Sequence, residues 1–589
     1  MMGGTELTRF GLTTAWASAV IVSILLILLG AYLFKIRAHR YILVSFCAAS
    51  ISILSILLGA YLYKINIHGY IWPSFFESQL SSEFDLLDEK YCSGQKGRLT
   101  TIVEDDSISF RNIKREKSNI MFDITNVSTE ECYRSPSEFV FDGIPDNFFD
   151  GKFFLAGFAD LNRDGHDDIL LYRQGKFVGK NQAAILFFYE NGRYVRDERF
   201  DALDLPCRHE QVVFADFTND GHTDIYITCY TWYEVLDRRQ HREGWQLDSQ
   251  QAQNYLLINN GNGVFDEKAD EYGVAQRLSP KRFRVEGAQA FDINDDGWLD
   301  IYAGSRLYIN HEGKYFKDNR EYYGLPIIFD EGVNATDIDN DGLIDLVIFH
   351  PVKGGPLVYI NEGGKFTHSY CHQTRMHYGT WYMTTADLDG DSWDDVIVQS
   401  RIKQLHHRLV VDEAKPHIWL KGTPKGFVAV RNKSMLPLPE KYSTKGGKFR
   451  EVQFSVIDFD RDGLFDVSYV TSGENGDFYS HVLLNTSRDD NRTIMVEMVD
   501  TDGIRNQHGR TIIASTGAGQ KERKAYVVDG GSGYLNQKPY PVYVSAPKDD
   551  KYVIEAHFRS GVVQASARPG ARIRIYENGK IEQLNRACS

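Results

Sequence analysis

The chain has 589 residues, more than one compact domain usually holds, and 13% of them are aromatic, with 33 Tyr and 35 Phe. That composition favours strands and buried cores. A formal charge of −14 excludes a general nucleic-acid binder, which needs a basic face. Seven scattered Cys without a CxxC pair exclude a zinc ribbon or a thioredoxin-like site.

Two apolar stretches open the chain, Leu12–Phe34 and Tyr41–Tyr63, each long enough to cross a bilayer core as a helix. They are near copies: SILLILLGAYLFKIRAHRYI from Ser23 matches SILSILLGAYLYKINIHGYI from Ser52. Residues 1–65 therefore read as a tandem-duplicated transmembrane hairpin. The link between the helices carries Lys35, Arg37 and Arg40, which places it in the cytoplasm and the C-terminal bulk outside. A cleaved signal peptide fits less well, because the leader has only Arg9 against Glu6 and the apolar run is long.

Residues 66–150 read as a juxtamembrane linker. Ile71–Phe76 has the aromatic character of a membrane interface, and Ser81–Arg115 is polar and charged. The segment Thr101–Pro145 is expected to supply either a blade without an acidic loop or the strand that closes a ring.

Residues 151–490 repeat one grammar. Six acidic segments recur: DLNRDGHDD from Asp160, DFTNDGHTD from Asp216, DINDDGWLD from Asp292, DIDNDGLID from Asp337, DLDGDSWDD from Asp387 and DFDRDGLFD from Asp458. Each has an oxygen-bearing side chain at positions 1, 3 and 5 and Asp at position 9. Five have Gly at position 6. Ca²⁺ takes six to eight hard oxygen ligands, and short carboxylates alternating around a sharp glycine turn can wrap it. One Asp-Gly pair would be an ordinary turn; six in register, each followed by a β-rich apolar run, predict up to six Ca²⁺ sites. Six divalent ions carry +12, which takes the formal charge from −14 to about −2. The acidity is then mostly ligand charge.

Around each loop a strand enters (QVVFA, GVNAT), a second leaves (DIYIT, DLVIF), and a third follows, often ending at Asn (YLLINN, RLYIN, LVYIN, HVLLN). A Gly turn and an aromatic come last. The loops start 56, 76, 45, 50 and 71 residues apart. Four short strands at this spacing predict an all-β propeller, seven-bladed or alternatively six-bladed.

These units resemble the FG-GAP/VCBS repeats of integrin-α-like propellers. The resemblance implies that each loop joins the first two strands of a blade and binds Ca²⁺. The ligands it implies are Asp160, Asn162, Asp164 and Asp168 in the first loop, Asp216, Asp220 and Asp224 in the second, and Asp292, Asn294, Asp296 and Asp300 in the third. The fourth has Asp337, Asp339, Asp341 and Asp345, the fifth Asp387, Asp389, Asp391 and Asp395, and the sixth Asp458, Asp460, Asp462 and Asp466. A main-chain carbonyl at position 7 is expected to complete each set. Thr218 at position 3 of the second loop and Ser392 in place of Gly in the fifth mark the two weakest sites.

Residues 491–589 drop the acidic grammar and read as a β-sandwich-like module. GIRNQHGRTIIAST, GGSGYLNQ and a strand ending in RSGVVQ resemble the ASPIC/UnbV module found after such propellers in the cartilage acidic protein family. PVYVSAPKD and His557-Phe558-Arg559 depart from that module's usual glycine-rich and Trp-Pro segments.

No HExxH, GxSxG, P-loop or Rossmann fingerprint occurs. His368, His372 and His377 read as solvated loop residues. Six Cys outside the membrane segments, among them the neighbours Cys207 and Cys229, either pair in an oxidising compartment or stay as buried thiols. Arg284, Glu286, Tyr378, Trp381, Lys448 and Arg450 are expected near the propeller axis, and two inserts, Tyr230–Gln253 and Ser400–Lys415, are expected to project from it. The resulting expectation is a membrane-anchored extracytoplasmic scaffold for a protein or glycan ligand. The alternatives are a polysaccharide-acting enzyme or a subunit of a larger membrane complex.

Overall fold

The chain divides into two compact units, Met1–Lys90 and Tyr91–Ser589. The computed structural model describes residues 103–584 apart from 105–109, 118–119, 122–139, 145–153, 173–183, 204, 206–207, 231–252, 277–284, 329, 331, 351–354, 370–379, 401–416, 432–453, 461, 473–477, 487–492, 517–522, 534–535 and 549. The two expected membrane helices, the linker up to 102 and most of both inserts lie outside the described residues. Among the described residues no helix is long and apolar enough to cross a membrane.

The second unit is all-β, with one-turn helices at Glu198–Asp201 and Ala269–Tyr272. Each acidic loop connects the first two strands of an antiparallel sheet. The first sheet runs Phe154–Ala159, Asp168–Tyr172, Ala184–Glu190 and Arg193–Arg196, with Ile120–Met121 and Phe141–Asp142 added parallel at its two edges. The second is Arg208–Ala215, Asp224–Tyr230, Tyr255–Asn259 and Phe265–Glu267, and the third Ala288–Phe291, Asp300–Ala303, Arg306–Asn310 and Phe316–Asp318. The fourth is Gly332–Thr336, Asp345–His350, Gly355–Asn361 and Phe366–His368, and the fifth Thr380–Ala386, Asp395–Ser400, His417–Lys421 and Val428–Arg431. The sixth has Phe454–Ile457, Asp466–Ser472 and Phe478–Asn485. Its fourth strand is Phe110–Lys117, which pairs antiparallel with Phe478–Asn485. Thr101–Pro145 thus spreads its strands over other sheets: Phe110–Lys117 joins the sixth, Val103–Glu104 the fifth, and Ile120–Met121 and Phe141–Asp142 the first.

First strands of successive sheets lie side by side, from Phe154–Ala159 through to Phe454–Ile457. Four-stranded meanders packed through their first strands make a β-propeller-like arrangement. Strands covered on both faces are buried throughout rather than alternating: GVNAT and DIYA are buried at every position. Val213 and Tyr226 of the second sheet pack on Ala290, Ile301 and Tyr308 of the third. Phe291 and Tyr302 meet Val333 and Leu346 of the fourth, and Ile397 and Trp419 of the fifth meet Val456 and Leu483 of the sixth. Each such side chain contributes about 1.5–3 kcal/mol through the apolar area it removes from water.

Beyond residue 492 two four-stranded sheets share one core. One orders Val542–Ser545, Thr493–Val499, Arg572–Tyr576 and Ile581–Gln583; the other orders Arg523–Val527, Thr511–Thr516, Tyr552–Phe558 and Gly561–Ala567. Ile494, Val496 and Met498 face Ile512, Ile554 and Ala556 between them. The expected period-2 pattern is clear in Tyr552–Phe558, where buried and half-buried residues alternate.

A stretch of this C-terminal part reaches the first strands of the propeller-like sheets. Gln537 brackets Phe158, accepting from its N–H at 2.9 Å and donating to its carbonyl at 2.8 Å. The Phe214 N–H donates to Gly530 O at 2.8 Å, Val333 forms an antiparallel bridge with Gly533, and Ser455 Oγ donates to Asn536 Oδ1 at 3.0 Å. Lys538 Nζ donates to Thr385 Oγ1 at 2.8 Å. A Cβ on Gly530 would sit 1.9 Å from Phe214 O, so only glycine lets the two backbones approach this closely.

Candidate metal centres

The acidic loops share one hydrogen-bond plan, set by where each Asp falls. Position 1 accepts from two backbone amides across the turn: Asp160 takes Asp164 N–H at 3.2 Å and Gly165 N–H at 2.8 Å. Asp216, Asp292, Asp337 and Asp387 repeat this with their own positions 5 and 6. Asp458 accepts from Gly463 N–H in the same way. Position 5 turns back on position 7, as Asp164 Oδ1 does on His166 N–H at 2.9 Å. Asp220, Asp296, Asp341, Asp391 and Asp462 follow suit.

Position 9 opens the second strand and is 0% exposed in every loop, at Asp168, Asp224, Asp300, Asp345, Asp395 and Asp466. One of its oxygens accepts from position 2 and the other from the third strand. For Asp300 these are Ile293 N–H at 3.1 Å and Asn310 N–H at 2.7 Å. Each oxygen keeps a second lone pair directed elsewhere. Position 9 is therefore a staple of the sheet as well as a wall of the acidic cluster.

In the three loops with Asp at position 3, carboxylate oxygens of positions 1, 3 and 9 lie within 4.8 Å of one another. These groups are Asp337–Asp339–Asp345, Asp387–Asp389–Asp395 and Asp458–Asp460–Asp466. Position 5 stands outside them. In the first and third loops, position 3 instead bonds position 5, Asn162 Nδ2 to Asp164 at 3.0 Å and Asn294 Nδ2 to Asp296 at 2.7 Å. Thr218 reaches Asp216 at only 3.5 Å.

These groups fit a hard cation. All their donors are oxygens. Asp339 Oδ1 and Asp389 Oδ1 are buried with no hydrogen-bond partner among the described residues, a state that costs about 1–3 kcal/mol per group unless something positive satisfies it. Burial drives the carboxyls up, to about 7 for Asp337, Asp387 and Asp458 and to about 9 for Asp466, and neighbouring loop carboxylates add to the rise. Burial does the same at Asp160 and Asp216, both pushed to about 6. Clustered buried carboxyls resist ionising unless a cation accompanies them.

The fifth loop differs. Ser392 sits at φ +76°, in the left-handed region that Gly occupies in the other loops. A side chain in that region strains the backbone. Lys421 Nζ contacts Asp389 and lies 3.6 Å from Asp391. Its neighbour Gly422 gives the amide to Asp395, the role that Asn310 plays for Asp300, so Lys421 holds the place of Ile309.

Two sets of residues escaped the sequence reading. The Asn ending a third strand ties its sheet to the preceding loop: Asn259 Nδ2 donates to Leu161 O at 2.8 Å, Asn310 to Phe217 O at 2.9 Å and Asn485 to Leu388 O at 2.9 Å. Position 4 joins one loop to the next: Arg163 donates to Gly221 O, Asn219 to Gly297 O at 3.0 Å and Asn340 to Ser392 O at 3.0 Å. The recurring Asn was visible in the sequence, but its partner was not.

Of the residues expected near the axis, Glu286 is buried and its carbonyl accepts from Thr228. Arg284, Tyr378, Lys448 and Arg450, like His372 and His377, lie outside the described residues. Cys229 is buried and disulfide-bonded.

The FG-GAP-like repeat family matches residues 160–227 and 305–398, which contain the first, second, fourth and fifth loops. No curated protein matches the chain. Similar solved structures include the V. cholerae biofilm matrix protein Bap1, at 15% identity over 73% of this chain and 76% of that one, TM-score 0.26. Another is Trypanosoma rangeli sialidase, at 8% identity over 70% of this chain and 84% of that one, TM-score 0.31. At such TM-scores neither likeness bears on what this chain does.

Proposed function

We propose that this protein is a membrane-anchored, extracytoplasmic β-propeller of six blades whose acidic loops hold Ca²⁺ and whose work is binding or assembly. The observation that carries the reading is the seating of Gly530–Gly533 and Asn536–Lys538 against the first strands of the sheets. Small-molecule sites are concave and need convergent polar groups in open space. Here the converging strand edges are bonded to the chain's own backbone and side chains. Recognition then falls to the rim and its inserts, where loops on a rigid scaffold commonly bind.

Six blades are favoured because Phe110–Lys117 completes the sixth loop-bearing sheet. The Ca²⁺ ligands are the loop residues named above, with positions 1, 3 and 9 as the inner set. In this reading the ions are structural: they neutralise clustered carboxylates. The disulfide at Cys229 supports an oxidising compartment, and the basic link between the N-terminal apolar stretches supports the same side of a membrane. The C-terminal sandwich is an ASPIC/UnbV-like module.

The test is a glycan array and an extracellular-protein pull-down with the full chain in lipid nanodiscs and millimolar Ca²⁺. Saturable capture that is lost on deleting residues 231–252 is expected. A folded, Ca²⁺-loaded protein that retains neither glycan nor protein would overturn the reading.

A further inference from the structure

The C-terminal sandwich rests on the acidic loops themselves. Arg505 pairs with Asp167 at 3.3 Å and reaches Gly165 O at 3.4 Å in the first loop. Asn506 Nδ2 donates to Gly221 O at 2.8 Å in the second, and Arg510 donates to Gly297 O at 2.8 Å in the third. Ala525 N–H donates to Asp337 Oδ2 at 2.9 Å in the fourth, and Lys524 Nζ to Ser392 O at 2.7 Å in the fifth. All five of these residues except Ala525 present polar side chains, yet each of those four is at most 8% exposed.

The contacts follow a rule. Gly221 O, Gly297 O and Ser392 O are all position-6 carbonyls. Each takes one donor from position 4 of the preceding loop (Arg163, Asn219 or Asn340) and a second from the sandwich (Asn506, Arg510 or Lys524). A position-6 carbonyl points this way only while its loop keeps the tight left-handed turn. The turn is held by position 1, whose carboxylate accepts the position-6 amide. Position 1 is also a wall of the cation cluster. Ion, turn, neighbouring loop and sandwich thus share one set of atoms.

We propose that cation loading of the acidic loops locks the C-terminal sandwich onto the propeller-like sheets, and that loss of the ions releases it and withdraws the Gly530–Lys538 stretch from the first strands. The inference rests on the reading of these loops as cation sites. Without ions the buried carboxylates repel, the turns open, and the five docking contacts weaken together. The sign of the effect is set by the turn that aims the position-6 carbonyls, since charge alone would draw Arg505, Arg510 and Lys524 to an empty loop. Every loop has at least three carboxylates, so a loaded loop stays net negative and does not repel them. By linkage, docking and ion binding must then strengthen one another equally.

The experiment is hydrogen exchange with mass spectrometry on the full chain, in millimolar Ca²⁺ and in chelator, with bound Ca²⁺ counted by equilibrium dialysis. The reporter amides are those that cross the interface: Phe214, Val333, Gly533 and Ala525. They are expected to exchange at least tenfold faster in chelator, while Thr493–Val499 inside the sandwich keeps its protection. Ca²⁺ that dissociates without changing those amides overturns the docking inference and leaves the cation reading standing. Dialysis that finds no bound Ca²⁺ overturns both. A second arm uses R510Q, expected to lower Ca²⁺ affinity of the second and third loops about fivefold through the shared carbonyl. Unaltered affinity in a folded R510Q protein also overturns it.

Discussion

The Asn219 side-chain amide donates to the main-chain carbonyl of Gly297 at 3.0 Å, bridging position 4 of one acidic loop to position 6 of the next. Asn219 has φ +55°, so its backbone is already left-handed. The variant Asn219→Gly keeps that conformation and removes the bridge together with the bond that Asn219 Oδ1 accepts from Arg510. A neutral hydrogen bond contributes about 1 kcal/mol and one to a charged group about 1.5–3, so the variant is expected to lose about 2–4 kcal/mol in chemical denaturation. A variant as stable as the parent would mean that the bridge is incidental.

The Asn closing the third strand carries more. Asn310 Nδ2 donates to both Phe217 O and Leu299 O, and its Oδ1 accepts from Gly313 N–H. Removing it leaves two buried carbonyls short of a donor. Asn310→Ala is expected to cost about 2–4 kcal/mol and to loosen the second sheet against the third, read as a lower denaturation midpoint. A loss under 0.5 kcal/mol, within the range of ordinary surface changes, contradicts the latch.

Two substitutions separate the faults of the fifth loop. Ser392→Gly relieves a left-handed residue and is expected to stabilise the protein by about 1 kcal/mol. Lys421→Ile removes the ammonium beside Asp389 and is expected to raise divalent-cation affinity at that loop about tenfold, measured by calorimetric titration. If Lys421→Ile leaves every titration step unchanged, the ammonium does not compete for the site.

The loop carboxyls give stability a pH dependence whose direction depends on the ion. Without a cation, burial raises Asp160 and Asp216 to about 6 and Asp337, Asp387 and Asp458 to about 7, above the value near 4 of an unfolded chain. A raised folded pKa stabilises fully below the unfolded value and loses that contribution as pH climbs through the folded one. In chelator the Tm is therefore expected to fall between pH 5 and 8. Ca²⁺ binding displaces those protons, so its stabilisation grows over the same window. At a hundred times Kd one site adds about 2.7 kcal/mol. A Ca²⁺-induced Tm shift of equal size at pH 5 and pH 8 would contradict the assignment.

The loops were legible because their chemistry is local: Asp160 to Asp168 is one contiguous run whose spacing sets which groups meet. Sheet order followed from the same repeat. What the sequence concealed is non-local. Asn259 and its acceptor Leu161 are 98 residues apart, and Gln537 and Phe158 are 379 apart. Nothing in either run names the other. Position 9 carries a second role that the spacing did not reveal: the full burial of Asp168 and its two amide partners make it a part of the sheet as well as of the acidic loop.

The pairing of Phe110 with Asn485 has a consequence for biosynthesis. On a ribosome, the early strand must wait for its partner until every loop-bearing sheet has been made. That pairing therefore forms late, in a long-range step with a large loop-closure cost. Until then Phe110–Lys117 lacks its partner strand, which makes premature truncation before residue 478 a route to aggregation rather than to a smaller folded protein.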